Sequence, residues 1–105
     1  MAQHATVTIT NSAITVIPDP IPMGKANNQV IEWTIKTDDW TFPDDGIVIN
    51  SDPNGQFSGG GVTGNGKKYT VHDKNTDSNR YKYTVKVTNG TSPPLSLDPT
   101  IVNES

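Results

Sequence analysis

Cysteine is absent from this sequence, and histidine and aromatic residues are scarce. Without cysteine the chain forms no disulfide, no thiolate nucleophile and no zinc–sulfur site. Its two histidines are far apart, at His4 and His72, and the net charge of −3 provides no basic surface for a nucleic acid. No apolar stretch resembles a membrane span or a signal peptide. We therefore expect neither nucleic acid nor membrane as a partner and, by default, a cytoplasmic location.

The length of the chain indicates a single domain spanning residues 1–105. A domain of this size buries roughly two thirds of the surface of its unfolded chain, which is enough for one small core. Only 31% of the residues are hydrophobic, but valine, isoleucine, threonine and aromatic residues occur in short runs. This grouping predicts an ordered protein.

Two segments, residues 30–36 and 80–88, alternate between apolar and polar side chains. Successive side chains point to opposite faces of a strand, so each segment predicts a strand with one buried and one exposed face. We expect the buried faces to carry Trp33, Ile35, Tyr81, Tyr83, Val85 and Val87. We expect the exposed faces to carry Glu32, Lys36, Lys82 and Lys86.

Shorter strand patterns lie at 6–10, 13–17, 46–50, 68–72 and 95–102. Glycine or proline interrupts nearly every candidate helix. Residues 51–66 hold seven glycines or prolines, which predicts an irregular connection with at most a short strand at Phe57. Together these patterns predict an all-β fold, a Greek-key β-sandwich of about seven or eight strands.

Proline occupies three alternate positions, Pro18, Pro20 and Pro22. Proline cannot donate a hydrogen bond to a central ladder, so Ile17 to Met23 predicts an edge or an extended crossover.

One part of the sequence resembles immunoglobulin domains. Asp77 to Tyr83 is similar to the aspartate-x-x-x-tyrosine-x-cysteine stretch of that family, with Tyr83 at the cysteine position, and Trp33 resembles its core tryptophan. The resemblance implies an immunoglobulin-like sandwich. It also implies a tyrosine corner, in which the Tyr81 ring is buried and its hydroxyl bonds to backbone in the loop from Asp73 to Asn79.

Another part resembles cupredoxins. Ile14 to Trp33 is similar to their apolar pair, proline-rich segment, glycine turn and valine-x-tryptophan strand, and a tyrosine-x-tyrosine strand follows late in both. The copper ligands do not carry over, since cysteine is absent and Val85 stands near its position. Trp40 or Phe42 stands near the position of the first histidine. The chain also resembles small uncharacterised bacterial β-sandwich proteins, which implies no activity.

The loop from Asp38 to Asp45 combines four aspartates with two aromatic residues. Within it, Asp39, Trp40, Phe42 and Asp44 form the candidate site for a cation, a cationic ligand or a sugar ring. The simpler interpretation is that the aspartates are solvated while Trp40 and Phe42 close one end of the core. We favour this interpretation, because carboxylates in an exposed loop carry no specificity by themselves.

Three residues with side-chain oxygen atoms, Asp73, Asn75 and Asp77, occupy alternate positions, as in the first half of a calcium-binding loop. Ser78 and Thr84 stand where the full motif requires glycine and glutamate, and a strand follows in place of a helix. The simpler interpretation is a turn in which Asn and Asp side chains bond to nearby backbone. Weak calcium binding is the alternative.

These observations predict a non-enzymatic structural or protein-interaction domain without cofactor or metal, whose open strand edges pair with an unknown protein partner. The alternative is a small-ligand or carbohydrate-binding module that uses the Asp38–Asp45 loop with Trp40 and Phe42. The sequence assigns neither the partner nor the oligomeric state.

Overall fold

The computed structural model describes residues 2–104, which form ten β-strands and no helix. The strands are β1 (Ala2–Thr10), β2 (Ala13–Ile17), β3 (Ile21–Pro22), β4 (Gln29–Ile35), β5 (Ile47–Ile49), β6 (Phe57–Thr63), β7 (Lys68–Asp73), β8 (Arg80–Val87), β9 (Leu95–Leu97) and β10 (Thr100–Val102). Over this part of the chain, no helix is therefore available to cross a membrane.

The strands form two sheets. Sheet one has the order β2-β1-β4-β7-β6, and sheet two has the order β3-β10-β8-β5 with β9 also paired to β8. β1 is parallel to β4 and β3 is parallel to β10, whereas the other pairs are antiparallel. One apolar core collects side chains from both sheets, so the predicted all-β sandwich is confirmed.

Proline explains why ten strands appear where seven or eight are predicted. Between Ile17 and Met23 the chain leaves sheet one after β2 and enters sheet two at β3, which confirms the predicted crossover. Pro99 likewise separates β9 from β10, although both of these strands pair with β8. Each interruption divides one extended segment into two short strands.

Two paired strands extend beyond the segments predicted for them. β1 begins at Ala2, before the predicted start at residue 6, so His4 lies opposite Glu32 of β4. β6 covers Phe57–Thr63 and has a register shift between Ser58 and Gly61. Within this bulge Gly60 has a φ of 79°, and a Cβ there would lie 1.9 Å from the Thr70 carbonyl oxygen, so only glycine fits.

The predicted apolar faces of β4 and β8 are confirmed, because all six of their core residues are buried. Trp33 of β4 donates a hydrogen bond from Nε1 to the Tyr83 hydroxyl of β8 at 3.1 Å, and their ring centroids are 5.3 Å apart. Since the two strands belong to different sheets, this pair connects the sheets through the core.

The predicted exposed residues are exposed only in part. Lys36 and Lys82 are exposed, but Glu32 and Lys86 are half-buried. Glu32 lies 3.6 Å from the Lys68 ammonium, and Lys86 lies 2.7 Å from the Asp45 carboxylate. These contacts with a neighbouring strand and a loop cover part of both side chains, which explains why neither is fully exposed.

Candidate functional site

The loop from Asp38 to Asp45 closes one end of the sandwich and is fastened to both sheets. Thr41 and Thr88, which follows β8, exchange backbone hydrogen bonds of 2.8 and 2.9 Å. On the side of sheet one, Phe42 N donates to Gly66 O at 2.7 Å. We call this end, with Trp40, Phe42 and Tyr69, the aromatic end.

A lysine ammonium holds the first half of this loop. Lys67 Nζ donates to the carbonyl oxygens of Thr37 and Trp40 at 2.8 and 2.7 Å. The adjacent Gly66 has a φ of 84°, and a Cβ there would lie 2.8 Å from Thr41 Cβ. The turn before β7 therefore fits closely against the loop. Gly66 and Lys67 hold the loop in place.

The four predicted site residues lie in different surroundings. Asp39 and Asp44 are exposed, and Trp40 is half-buried against the core. Phe42 is 4% exposed, and its ring packs edge-on against Tyr69 with centroids 5.7 Å apart. The Tyr69 hydroxyl donates to Asp44 O at 2.8 Å. Ligand binding by this loop stays a prediction, with Trp40 as the aromatic ring that retains exposed area.

The opposite end of the sandwich buries polar side chains, and we call it the polar end. Gln56, Asp73, Asn75 and Asn103 are each at most 4% exposed. They come from the segment before β6, the end of β7, the loop after β7 and the segment after β10. Buried polar groups stabilise a fold only when they find partners, so their hydrogen bonds define this end.

Asn75 connects three segments of the polar end. Its Nδ2 donates to the carbonyl oxygens of Gly24 and Ala26, each at 2.8 Å. Its Oδ1 accepts a hydrogen bond from Glu104 N at 3.0 Å. The side chain therefore ties the turn before β4 and the segment after β10 to the loop between β7 and β8.

Tyr81 supports the same loop from β8. Its ring is buried, and its hydroxyl donates to Oδ2 of Asp77. As predicted for a tyrosine corner, the hydroxyl bonds to the loop between β7 and β8. The predicted backbone acceptor is wrong, because the acceptor is the side-chain carboxylate of Asp77. Asp77 also accepts hydrogen bonds from Asn54, Asn79 and Asn103 at 3.1, 3.1 and 2.9 Å. Desolvation raises its pKa, but these hydrogen bonds outweigh it and hold the pKa below its ordinary value.

Asp73 has the opposite electrostatic environment. Its Oδ1 accepts hydrogen bonds from Asn75 N at 2.9 Å and from Asn103 Nδ2 at 3.1 Å. Burial raises its pKa to about 6 against these hydrogen bonds, and the like charges of Asp77 and Asp52 add to the increase. Oδ2 of Asp73 and Oδ1 of Asn103 are buried without a hydrogen-bond partner among residues 2–104.

Most of the side-chain oxygen atoms considered for weak calcium binding accept hydrogen bonds from the protein. Asp73 accepts the Asn75 backbone N–H, as the turn interpretation predicts, and the side-chain oxygen of Asn75 accepts a backbone N–H from Glu104. Over the described range 2–104, the structure brings together no group of three or more His, Asp or Glu residues placed to hold a metal ion. His72 is exposed on β7, and His4 Nδ1 lies 3.5 Å from Glu32 Oε1.

A surface depression of about 420 Å³ lies beside the polar end, between the segment after β5 and the start of β8. Asn50 and Ser51 form one wall, and Asn79, Arg80 and Lys82 contribute to the other. The ion pairs within residues 2–104 involve Lys86, Lys68 and His4, so Arg80 and Lys82 have no carboxylate partner among the described residues. The Lys82 ammonium donates one hydrogen bond, to the carbonyl oxygen of Asp98 at 3.2 Å. The sequence showed both cations on the polar face of a strand, but it carried no sign that residues 50–53 face them.

No protein-family model matches the chain, and no curated protein sequence matches it.

Proposed function

We propose that this chain is a non-enzymatic structural or protein-interaction domain that binds an acidic, extended segment of a partner protein. The single observation that carries this proposal is the depression lined by Arg80 and Lys82, two cations without a described carboxylate partner. The rest of the chain has an excess of negative charge. Two adjacent cations on such a surface favour a partner that supplies carboxylates and orient it during encounter.

The free edge of β5 lies next to this depression and supports the choice of an extended partner. Lys86 N donates to Gly46 O and Asn50 N donates to Lys82 O, at the two ends of the β5–β8 ladder. Hydrogen-bonded pairs alternate along an antiparallel ladder, so the backbone groups of Ile47 and Ile49 point away from β8. An added strand would find its donors and acceptors there.

β5 combines an exposed apolar residue and an uninterrupted edge with a position beside the two cations, whereas the exposed Ile17 lies on the edge strand β2. Val48 on its outer face is 44% exposed, which leaves an apolar contact beside the two cations. The edge of β6 is interrupted by the glycine bulge at Ser58–Gly61, and a bulge disfavours pairing with a further strand. The edge strand β2 packs near β9.

Selection from a displayed library of random peptides tests the proposal even while the natural partner is unidentified. We expect enrichment of acidic, extended peptides, with a dissociation constant that weakens as salt concentration rises. Amide chemical shifts of residues 46–51 and 79–82 should change on titration of an enriched peptide. Replacing both cations, Arg80→Glu with Lys82→Glu, should abolish binding.

The matched control is Lys25→Glu with Lys36→Glu, which makes the same charge change at two other exposed lysines. Binding should persist in this control. Peptides without acidic residues, peptides whose contacts map elsewhere, or equal losses in the two double variants would each contradict the proposal.

A small-ligand or carbohydrate-binding module remains the second candidate, because Trp40 keeps part of its ring exposed between the exposed Asp39 and the half-buried Thr41. A binding screen of glycans and organic cations tests it. Loss of any hit in Trp40→Ala, with retention in Arg80→Glu/Lys82→Glu, would favour this loop over the depression.

We also propose that the sandwich is cupredoxin-like and not immunoglobulin-like. The support is the proline-rich segment, which leaves sheet one after β2, enters sheet two at β3 and leads through a glycine turn to the Trp33 strand. This order matches the cupredoxin resemblance of Ile14 to Trp33. An experimental structure compared with both families tests the assignment.

A further inference from the structure

Two buried oxygen atoms at the polar end lack hydrogen-bond donors among residues 2–104, and they belong to neighbouring side chains. Asp73 and Asn103 already share one hydrogen bond, from Asn103 Nδ2 to Asp73 Oδ1 at 3.1 Å. The two atoms without partners, Asp73 Oδ2 and Asn103 Oδ1, are the other oxygen of the same carboxyl and the oxygen of the same amide. Asp73 is 1% exposed and Asn103 is 2% exposed, so bulk water does not reach them readily.

The orientation of the Asn103 amide is determined by its neighbours. Nδ2 donates to Asp73 Oδ1 and Asp77 Oδ1, at 3.1 and 2.9 Å, and lies 3.4 Å from Gln56 Oε1. Turning the amide over would place its oxygen against these three acceptors. The amide oxygen therefore cannot gain a donor by rotation, and the missing donor must come from elsewhere.

We propose that Asp73 is a proton-binding site of the folded domain, and that its Oδ2 carries a proton donated to Asn103 Oδ1. With the existing Asn103 Nδ2–Asp73 Oδ1 bond, this proton closes a ring of two hydrogen bonds between a carboxylic acid and an amide. One proton then satisfies both buried oxygen atoms.

The surrounding charges favour the neutral acid. The charged groups that face Asp73 are the carboxylates of Asp52, before β6, and Asp77, after β7. Its register neighbours on β4 and β6 are Gln29 and Phe57, which carry no charge. The nearby side chains of Lys25, Lys74 and Glu104 are exposed.

The raised pKa of Asp73, about 6 and mainly due to desolvation, agrees with this geometry. Because the folded pKa lies above the ordinary value of 3.8, the stabilisation is complete below 3.8 and is lost as the pH rises through about 6. Asp73 ends β7 of sheet one, whereas Asn103 follows β10 of sheet two. Loss of the proton would therefore weaken a connection between the two sheets at the polar end.

Asp73→Asn provides a sharp test, because the amide supplies permanently the donor that the proton supplies in the parent. We expect the variant to unfold at a higher urea concentration than the parent at pH 7.5 and at nearly the same concentration at pH 4. The ratio of the two unfolding equilibrium constants should change by about tenfold per pH unit between pH 4 and about pH 6 and level off above that, reaching on the order of a hundredfold.

Asp77→Asn is the matched control, because Asp77 also accepts a hydrogen bond from Asn103 Nδ2 but has a lowered pKa. This variant should be less stable than the parent at neutral pH. It should still lose stability as the pH rises from 4 to 6, with the loss moved to slightly lower pH because Asp77 no longer adds to the pKa of Asp73. An Asp73→Asn variant that is less stable than the parent at pH 7.5 would overturn the proposal.

Carboxyl ¹³C chemical shifts of the unaltered protein give a test that does not depend on a variant folding. We expect the Asp73 resonance to titrate near pH 6 and the Asp77 resonance below pH 4. Titration of Asp73 below pH 4 would show an ionised carboxylate and would overturn the proposal.

Discussion

The two ends of the sandwich are closed by different chemistry. At the aromatic end, Phe42 packs against Tyr69, and the loop is fastened to both sheets by backbone hydrogen bonds. At the polar end, Asn75, Gln56 and Asn103 bond to segments that are far apart in the chain. Apolar contact is insensitive to pH, whereas hydrogen bonds to carboxylates depend on it. The sandwich therefore combines a closure that does not depend on pH with one that does.

The largest expected effect is at the aromatic end. Phe42→Ala removes a buried ring and should lower the free energy of unfolding by about 3–5 kcal/mol, because it deletes apolar contacts and leaves a cavity. Urea denaturation at several pH values measures the loss. Phe42→Leu is the control and should cost less than Phe42→Ala, because it keeps most of the apolar volume. A cost for Phe42→Ala that varies strongly between pH 5 and pH 8 would break the contrast between the ends.

Asn75→Ala should have the next largest effect. It removes donors to Gly24 O and Ala26 O and the acceptor of Glu104 N, so we expect a loss of about 2–3 kcal/mol. Asn75 has a φ of 50°, which also disfavours alanine. Asn28→Ala controls for this backbone term, since Asn28 has a φ of 56° and an exposed side chain. Equal losses in the two variants would leave no role for the Asn75 hydrogen bonds.

Tyr81→Phe should have the smallest effect, about 1.5 kcal/mol at neutral pH, because it removes one hydrogen bond to a carboxylate and keeps the ring. The pKa of Asp77 is lowered, so this stabilisation is present above the ordinary value of 3.8 and is lost as the pH falls below it. Denaturant midpoints of both proteins at pH 7 and pH 3 measure the change.

Tyr83→Phe provides the reference for Tyr81→Phe. It also removes one hydroxyl, but the hydrogen bond involves Trp33 Nε1 and no carboxylate. Its cost should therefore be the same at both pH values. A Tyr81→Phe cost that does not decrease in acid would show that Asp77 is not the partner that stabilises the ring.

The strands with a clear two-residue period could be predicted from the sequence. Trp33 and Tyr83 lie on such strands, and both are in the core as expected. The prolines between Ile17 and Met23 also predicted the crossover. In each case a local property, alternation or a missing N–H donor, determines the structure.

The strand β6 and the polar end could not be predicted in this way. A glycine run such as Gly59 to Gly61 favours a loop by composition, and it becomes a strand only because β7 pairs with it. Asn103 is a polar residue near the end of the sequence, and its partners Asp73 and Asp77 lie 30 and 26 residues away. The burial of Asn103 depends on contacts between residues far apart in the chain. No periodic pattern in the sequence indicates such contacts.

The order in which strands leave the ribosome separates the assembly of the two sheets. All five strands of sheet one lie within residues 2–73, whereas sheet two cannot form before β8 and β10 have been synthesised. The apolar face of sheet one therefore has no covering layer until residues 80–102 are available to fold over it. Released fragments that end near residue 75 should accordingly bind chaperones, and fragments that extend through Val102 should not.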